Sequence, residues 1–405
     1  MDSTPVISLS SPAAGSCYNI WDTILVKASI SHNKPVRSVV VSLVNNNNIP
    51  MVTPIGSTPD QNALEIEEYL VIDNPDLESG SYFVMVKASD EVNATRYFQP
   101  VEVSGIETEL RRILVITQFN TLKSIVSLID SNFNVNPFSS ILKKYNGSDV
   151  SSKYQQLYYI TPEPSRLLTY DLNDTILDWE FLSQPPHSGF QDVYYQEGLI
   201  YLASQNGNLF GLDHSGDNKY ITPTHTDRIP QKIFKHDNYL VTDQSTRSNL
   251  YRYFTLFFAE TGAFANQHQR DLEVTEFFSI NTDEIIAFGN TFDQAKVLVY
   301  SIEDNNSFEP SIMPAGIITA AVQISQDDFL IAMDFGIIAY NSTQHQWHLA
   351  FDIDNVNAME YDSKNNFLCV AEGKNVRIYD YPGSGLHHTI SMDYPILNIH
   401  ILYNK

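Results

Sequence analysis

Basic residues are scarce in this chain. Lys and Arg number 24 against 48 Asp and Glu, a formal net charge of −24 over 405 residues. A surface that acidic repels phosphate backbones and anionic lipid headgroups, which argues against general nucleic-acid or membrane-surface binding. Solubility explains the charge; beyond that, cations or basic proteins are the partners it favours. Cysteine is nearly absent. Cys17 and Cys369 lie at opposite ends of the sequence and in different predicted domains, so no disulfide is expected. Neither belongs to a CxxC or a Cys/His cluster of the zinc-binding kind. Cys369 falls inside Phe367-Leu368-Cys369-Val370 and reads as a small buried hydrophobe. No apolar run approaches the roughly 18 residues of a membrane span.

Familiar chemistry is missing as well. There is no Gly-x-Ser-x-Gly and no local Ser/His/Asp grouping. His345 and His348 are three apart and His387 and His388 are adjacent, so from a regular strand each pair faces opposite sides and cannot chelate. Asp213-His-Ser-Gly-Asp217 looks like half a calcium loop without the bidentate glutamate of an EF-hand, and a turn explains it better. No catalytic residue, metal site or cofactor is expected from these patterns. Paired carboxylates of the glycosidase kind stay open, because distant segments can bring acidic residues into one site.

What is present is hydrophobic and aromatic. Apolar residues make up 43% and aromatics 12%, enough for substantial cores in two or three domains. In the first hundred residues, short alternating stretches predict strands at Val6–Ser10, Thr23–Ile30, Val36–Val44, Ala63–Ile72, Gly80–Ala88 and Arg96–Val103. Turn chemistry divides them at Ser11-Pro12, Asn33-Lys34-Pro35, Asn45–Asn48 and Asn74-Pro75. Such a set without a helix signal predicts a β-sandwich. Glu78-Ser79-Gly80-Ser81-Tyr82, followed by Val84, resembles the immunoglobulin-fold pattern Asp-x-Gly-x-Tyr-x-Cys. The resemblance implies a tyrosine corner at Tyr82, and the valine implies sheets held by apolar packing without a disulfide. Val86-Lys87-Ala88-Ser89-Asp90 is similar to the closing strands of bacterial Ig-like modules, which usually serve as spacers or docking surfaces.

From Ile113 onward the sequence repeats. An apolar run begins at Ile113, Leu157, Leu199, Tyr239, Ile285, Phe329 and Phe367, at spacings of 44, 42, 40, 46, 44 and 38. A second strand follows each run and ends at Asp130, Asp171, Asp213, Glu260, Ser301, Asn341 and Asp380. Two markers keeping one period of about 40–45 residues predict four-stranded propeller blades. The small polar residues could suggest repeated metal sites, but side chains that cap tight turns explain seven copies better. The first unit lacks an inner strand, and the chain ends with an unclaimed one, Ile396–Tyr403. The tail is therefore expected to complete the first blade and close a ring of seven.

The blade pattern, as in Leu209-Phe-Gly-Leu-Asp213-His-Ser-Gly216 and Leu256-Phe-Phe-Ala-Glu260-Thr-Gly262, resembles quinoprotein-like and YVTN-like bacterial propellers. Trp179 and Trp347 stand close to the tryptophan of that repeat. An Ig-like module followed by such a propeller is similar to exported lipoproteins of Bacteroidetes-type bacteria. The resemblance implies an extracytoplasmic protein, in the periplasm or on the cell surface, whose export signal and lipid anchor are absent from this sequence. The vicinal cysteines and eight blades of quinoprotein dehydrogenases are missing, so the redox role is not carried over.

The expected architecture is all-β: an Ig-like sandwich over 1–105 and a seven-bladed propeller over 106–405, closed by the C-terminal strand. The expected function is non-enzymatic binding or scaffolding by a monomer, with a glycan, peptide or protein held at the propeller mouth. A polysaccharide-acting hydrolase or lyase at the same mouth is the alternative. Loops entering the inner strands should converge there with loops joining second and third strands. That geometry nominates His187, Phe190, His225, Arg228 and Arg247 as ligand-binding residues.

Overall fold

The computed structural model describes residues 4–162, 165–182 and 189–405, and every regular element among them is a β-strand. Contacts divide the chain into two compact units, Met1–Thr108 with Lys405, and Glu109–Asn404. No helix of the described residues is long and apolar enough to cross a membrane.

In the first unit, one sheet orders Val6–Ser11, Thr23–Val36 and Gln61–Val71. The other orders Ser16–Asn19, Ala94–Ser104, Gly80–Ser89, Ser38–Val44 and Ile55–Ser57. Alternation builds the layer between them. Ile24, Val26, Ala28 and Ile30 from one sheet meet Val39, Val41, Leu43, Val84 and Val86 from the other, at every second position, in one buried cluster. The Tyr82 hydroxyl donates to the Glu78 carbonyl at 3.0 Å, the bond its corner position implies. Two short strands, Ser16–Asn19 and Ile55–Ser57, escape the sequence pattern because they are brief and contribute no fully buried residue. The predicted turn at Asn33-Lys34-Pro35 is instead part of the strand Thr23–Val36. A register shift between Ser31 and Val36 against Gln61–Val71 lets the strand carry a proline.

The second unit contains, among the described residues, seven antiparallel sheets of four strands each. The recurring apolar run is the second strand of every sheet, as in Leu199–Ser204. Its two faces are buried by different neighbours. Ile200 and Leu202 pack with Tyr158 and Ile160 of the preceding sheet, whereas Tyr201 and Ala203 pack with Ile233 and Leu240 of the next. Burial on both faces is why the run is continuous and does not alternate. Cys369, in the last such run, is buried in the core as expected.

The third-strand residues mostly make turns. Asp130 Oδ1 accepts the Asn132 and Asn134 amides at 2.9 Å each, and Asp213 Oδ1 accepts those of Ser215 and Asp217 at 3.0 Å. Asp171, Ser301 and Asn341 make comparable bonds. Glu260 departs from the pattern because its strand ends at Phe258 and the residue sits in the turn itself.

The innermost strands are Gly147–Ser151, Phe190–Gln196, Arg228–His236, Glu273–Ser279, Ile318–Gln323, Val356–Asp362 and Ile396–Tyr403. Each touches the next, and the last touches the first, which closes the cycle. Closure depends on the tail. Ile396–Tyr403 runs antiparallel to Leu110–Asn120, with Ile399 opposite Val115 and Ile401 opposite Ile113.

Candidate functional site

Six of the innermost strands share a local irregularity. Each shifts register by one residue near its start, a bulge that increases local twist and re-aims the side chains after it. Immediately past the bulge stand Asp192, Lys232, Glu276, Ala320, Ala358 and Asn398. Two positions further along, Tyr194, Glu360 and His400 occupy equivalent places. All of these line one cavity of about 590 Å³ inside the ring, to which Ser148 and Asp149 add the seventh strand.

The cavity is mostly polar and carries more acid than base. Lys232 Nζ donates to Glu276 Oε1 at 3.1 Å. Burial opposes the Lys232 ammonium, but the Glu276 and Asp192 carboxylates outweigh it and hold its pKa above the usual lysine range. Lys235 turns to Glu197, at 2.6 Å. The remaining carboxyls are less well served. Asp149 receives the Val150 and Tyr195 amides at 2.8 and 2.6 Å, yet burial still raises it to about 7. Asp192 accepts the Ile233 amide at 2.9 Å and is raised to about 6, again by burial, with Lys232 opposing. Burial, with Asp149 and Glu276 nearby, lifts Glu360 to about 8. The Glu360 side chain keeps 37% exposure to the cavity, so water there softens that shift. Burial pushes His400 down to about 4, which leaves a neutral imidazole at ordinary pH.

One side-chain cluster spans three consecutive innermost strands. Ser148 Oγ lies 2.7 Å from His400 Nε2, and His400 Nδ1 lies 3.7 Å from Glu360 Oε1. Tyr145 Oη is 2.9 Å from the same serine oxygen. Asn398 Nδ2 stands 3.4 Å from Ser148 Oγ and 3.2 Å from His400 Nε2. No group of three or more His, Cys, Asp or Glu side chains among the described residues is arranged to hold a metal ion.

The nominated rim residues lie elsewhere. His187 is outside the described residues. Phe190 does not face a mouth: it is 0% exposed and packs with Phe181 and Phe210, because it precedes the bulge and points between sheets. Arg228 is buried too, its guanidinium 3.6 Å over the Tyr253 ring and 2.7 Å from Gln267 Oε1. His225 is exposed and 2.5 Å from Asp227 Oδ1. Arg247 donates to the carbonyls of Thr226 and Asn206 at 3.2 and 3.3 Å. His225, Arg228 and Arg247 thus gather around the Thr226–Asp227 loop, and none of them lines the cavity.

Comparison with known proteins speaks to the fold. No protein-family model matches the sequence, and no curated protein matches it. Solved structures do. The WD40 β-propeller domain of Doa1 superposes with a TM-score of 0.51 at 8% identity, over 64% of this chain and 86% of that one. The Cps50 (Swd1) β-propeller domain of Myceliophteria thermophila does so with a TM-score of 0.50 at 8% identity, over 68% and 99%. The fold is a β-propeller. At such identities the likeness reaches no further than architecture.

Within the propeller, the cavity residues sit on innermost strands and not on the loops that the repeat pattern points to. Their signal was a charge inside an apolar inner strand: Asp192 in Phe-Gln-Asp-Val-Tyr, Lys232 in Gln-Lys-Ile-Phe, Glu360 in Ala-Met-Glu-Tyr and His400 in Asn-Ile-His-Ile-Leu.

Proposed function

We propose that this chain is an extracytoplasmic binding protein, an immunoglobulin-like module followed by a seven-bladed β-propeller, whose central cavity takes a small polar ligand. One observation carries the binding site: all seven innermost strands contribute polar side chains to a single cavity of about 590 Å³. That volume lies within the ~300–1,000 Å³ range of small-molecule sites. Carboxylates and amides on its wall suit the hydroxyls of a glycan fragment or the polar groups of a peptide. The Ig-like assignment draws support from two sheets around one core, the Tyr82 corner bond, and the parallel pairing of Ser16–Asn19 with Ala94–Ser104. An exported, lipid-anchored monomer rests on the resemblance to Bacteroidetes-type lipoproteins.

The polysaccharide-acting alternative shares this site. Asp149 and Glu360, raised to about 7 and 8, could each hold a proton at neutral pH as a general acid must. Binding is the step common to both readings.

Thermal melts against a panel of oligosaccharides and short peptides test it. At least one compound should raise the melting temperature, and Glu276→Gln should bind it about tenfold or more weakly, the loss of a charged hydrogen bond. Flat melts across the panel, or a shift indifferent to Glu276→Gln, would remove the cavity as the site.

A further inference from the structure

We propose that Ser148, His400 and Glu360 form a nucleophilic relay that cleaves a short-chain carboxylic ester of a polar alcohol in the propeller cavity. The proposal rests on the cavity being the ligand site and adds covalent chemistry to it. All three residues line the cavity, and they come from three consecutive innermost strands with His400 in the middle. The strand carrying the histidine is the tail that closes the ring, so the group is assembled only when the propeller is complete. Residues 252 positions apart in sequence then meet at 2.7 Å, which is why no local motif announced them.

The hydrogen bonds fix the imidazole's tautomer. Asn398 Oδ1 accepts the Ile399 amide at 3.0 Å, which leaves Nδ2 as the atom aimed at His400. An amide N–H only donates, so His400 Nε2 must be the acceptor and its proton sits on Nδ1. Nε2 therefore presents a lone pair to the Ser148 hydroxyl, and Nδ1–H faces Glu360. This is the arrangement a general base requires, and such relays are recognised by geometry and role, not by sequence order. The 3.7 Å separation at Glu360 is longer than a hydrogen bond, a common state for catalytic contacts before substrate arrives.

The chemistry balances with water as co-reactant. Ser148 Oγ bonds to the ester carbonyl carbon as its proton passes to His400 Nε2. The carbon–alkoxide bond then breaks, and the same proton goes to the departing alcohol oxygen. Water attacks the acyl-serine with His400 again taking the proton, which returns to Ser148 as the carboxylic acid leaves. The amide of Asn398, 3.4 Å from the serine oxygen and 3.2 Å from His400 Nε2, holds the two reacting groups side by side. Glu360 acts through His400 as a positioning residue.

The test uses the full chain and a fluorophosphonate probe, which loses fluoride as Ser148 Oγ bonds to phosphorus. Mass spectrometry should find the adduct on Ser148, with the labelling rate falling at least about a hundredfold in His400→Gln. Hydrolysis of p-nitrophenyl acetate should fall in parallel, and Ser148→Ala should abolish both while melting near the wild type. Glu360 faces Asp149 and Glu276 as well as His400, and Lys232 neighbours Glu276. The labelling rate should rise between pH 7 and 9 in the wild type, as Glu360 ionises, and lose that rise in Glu360→Gln. Should Ser148→Ala fail to fold, Ser148→Cys provides a second route. Iodoacetamide at neutral pH should alkylate the introduced thiol before the exposed Cys17 in the same chain. No adduct on Ser148, labelling indifferent to His400→Gln, or Cys17 reacting first each overturns the relay. A ligand-induced thermal shift with Ser148 unlabelled sinks the covalent step and leaves the binding proposal standing. Flat melts alongside His400-dependent labelling support the covalent step by itself.

Discussion

Asp243 and the cavity carboxyls are the same chemistry in two situations, the first on a second strand and the others on innermost strands. Asp243, on Tyr239–Thr246, is 0% exposed and receives Arg252 at 2.8 Å, Arg270 at 2.7 Å and the Val274 amide at 3.1 Å. Arg270 lies 3.6 Å over the Phe254 ring, so its charge is also spoken for. Lys232, directly opposite Asp243 in register, reaches the same neighbouring strand, Glu273–Ser279, but lines the cavity. There, Asp149, Asp192, Glu276 and Glu360 share the wall, and that lysine pairs with Glu276. A buried acid with both oxygens bonded to cations holds sheets together. Acids left short of partners favour binding something that supplies them.

The largest effect should come from breaking the saturated side of this contrast. Asp243→Ala leaves Arg270 buried without its counter-charge and should cost about 3–5 kcal/mol of unfolding free energy, read from urea denaturation. Glu276→Gln, in the cavity, should cost far less. Equal losses at the two sites would erase the distinction between structural and poised acids.

Legibility in the sequence follows the same divide. The repeat was visible because a second strand buried on both faces must be apolar throughout, as Ile285-Ile-Ala-Phe and Phe329-Leu-Ile-Ala show. The tail's partner was legible by subtraction, since Ile396–Tyr403 was an inner strand without a sheet. Tyr82 could be placed because its corner pattern is local. The site was not. A bulge leaves no residue signature, so nothing in the sequence said that Asp192 would turn inward while Phe190, two residues earlier, would be sealed in the core. Ser148 and His400 meet only through ring closure, and pattern reading sees neighbours in sequence before neighbours in space.

The poised acids should also show in the pH dependence of stability. Glu360 ordinarily titrates near 4.5 and Asp149 near 3.8, but in the folded chain they titrate at about 8 and about 7. Between the two sets of values the folded state binds more protons than the unfolded, so stability falls as pH rises. His400 works the other way, since its value drops from 6.5 to about 4 and stability rises with pH across that interval. The carboxyl effect is therefore cleanest from pH 6.5 to 8. The wild type should melt at a lower temperature at pH 8 than at pH 6.5, and Glu360→Gln should lose much of that difference. An unchanged slope in the variant would mean that Glu360 is better solvated than its position implies.

The smallest effect sharpens the contrast from outside. His225 is paired with Asp227 at 2.5 Å, but both side chains are more than half exposed. Exposed pairs of this kind contribute about 0–1 kcal/mol, because water competes for both partners and two side chains must be held still. His225→Ala should therefore move the unfolding free energy by no more than about 0.5 kcal/mol. The same variant should leave any ligand-induced thermal shift of the propeller intact, since His225 does not line the cavity. If His225→Ala instead abolished that shift, the ligand would extend to the Thr226–Asp227 loop. The rim residues nominated from sequence would then belong to the site after all, with the acids below them acting as the floor of a longer channel.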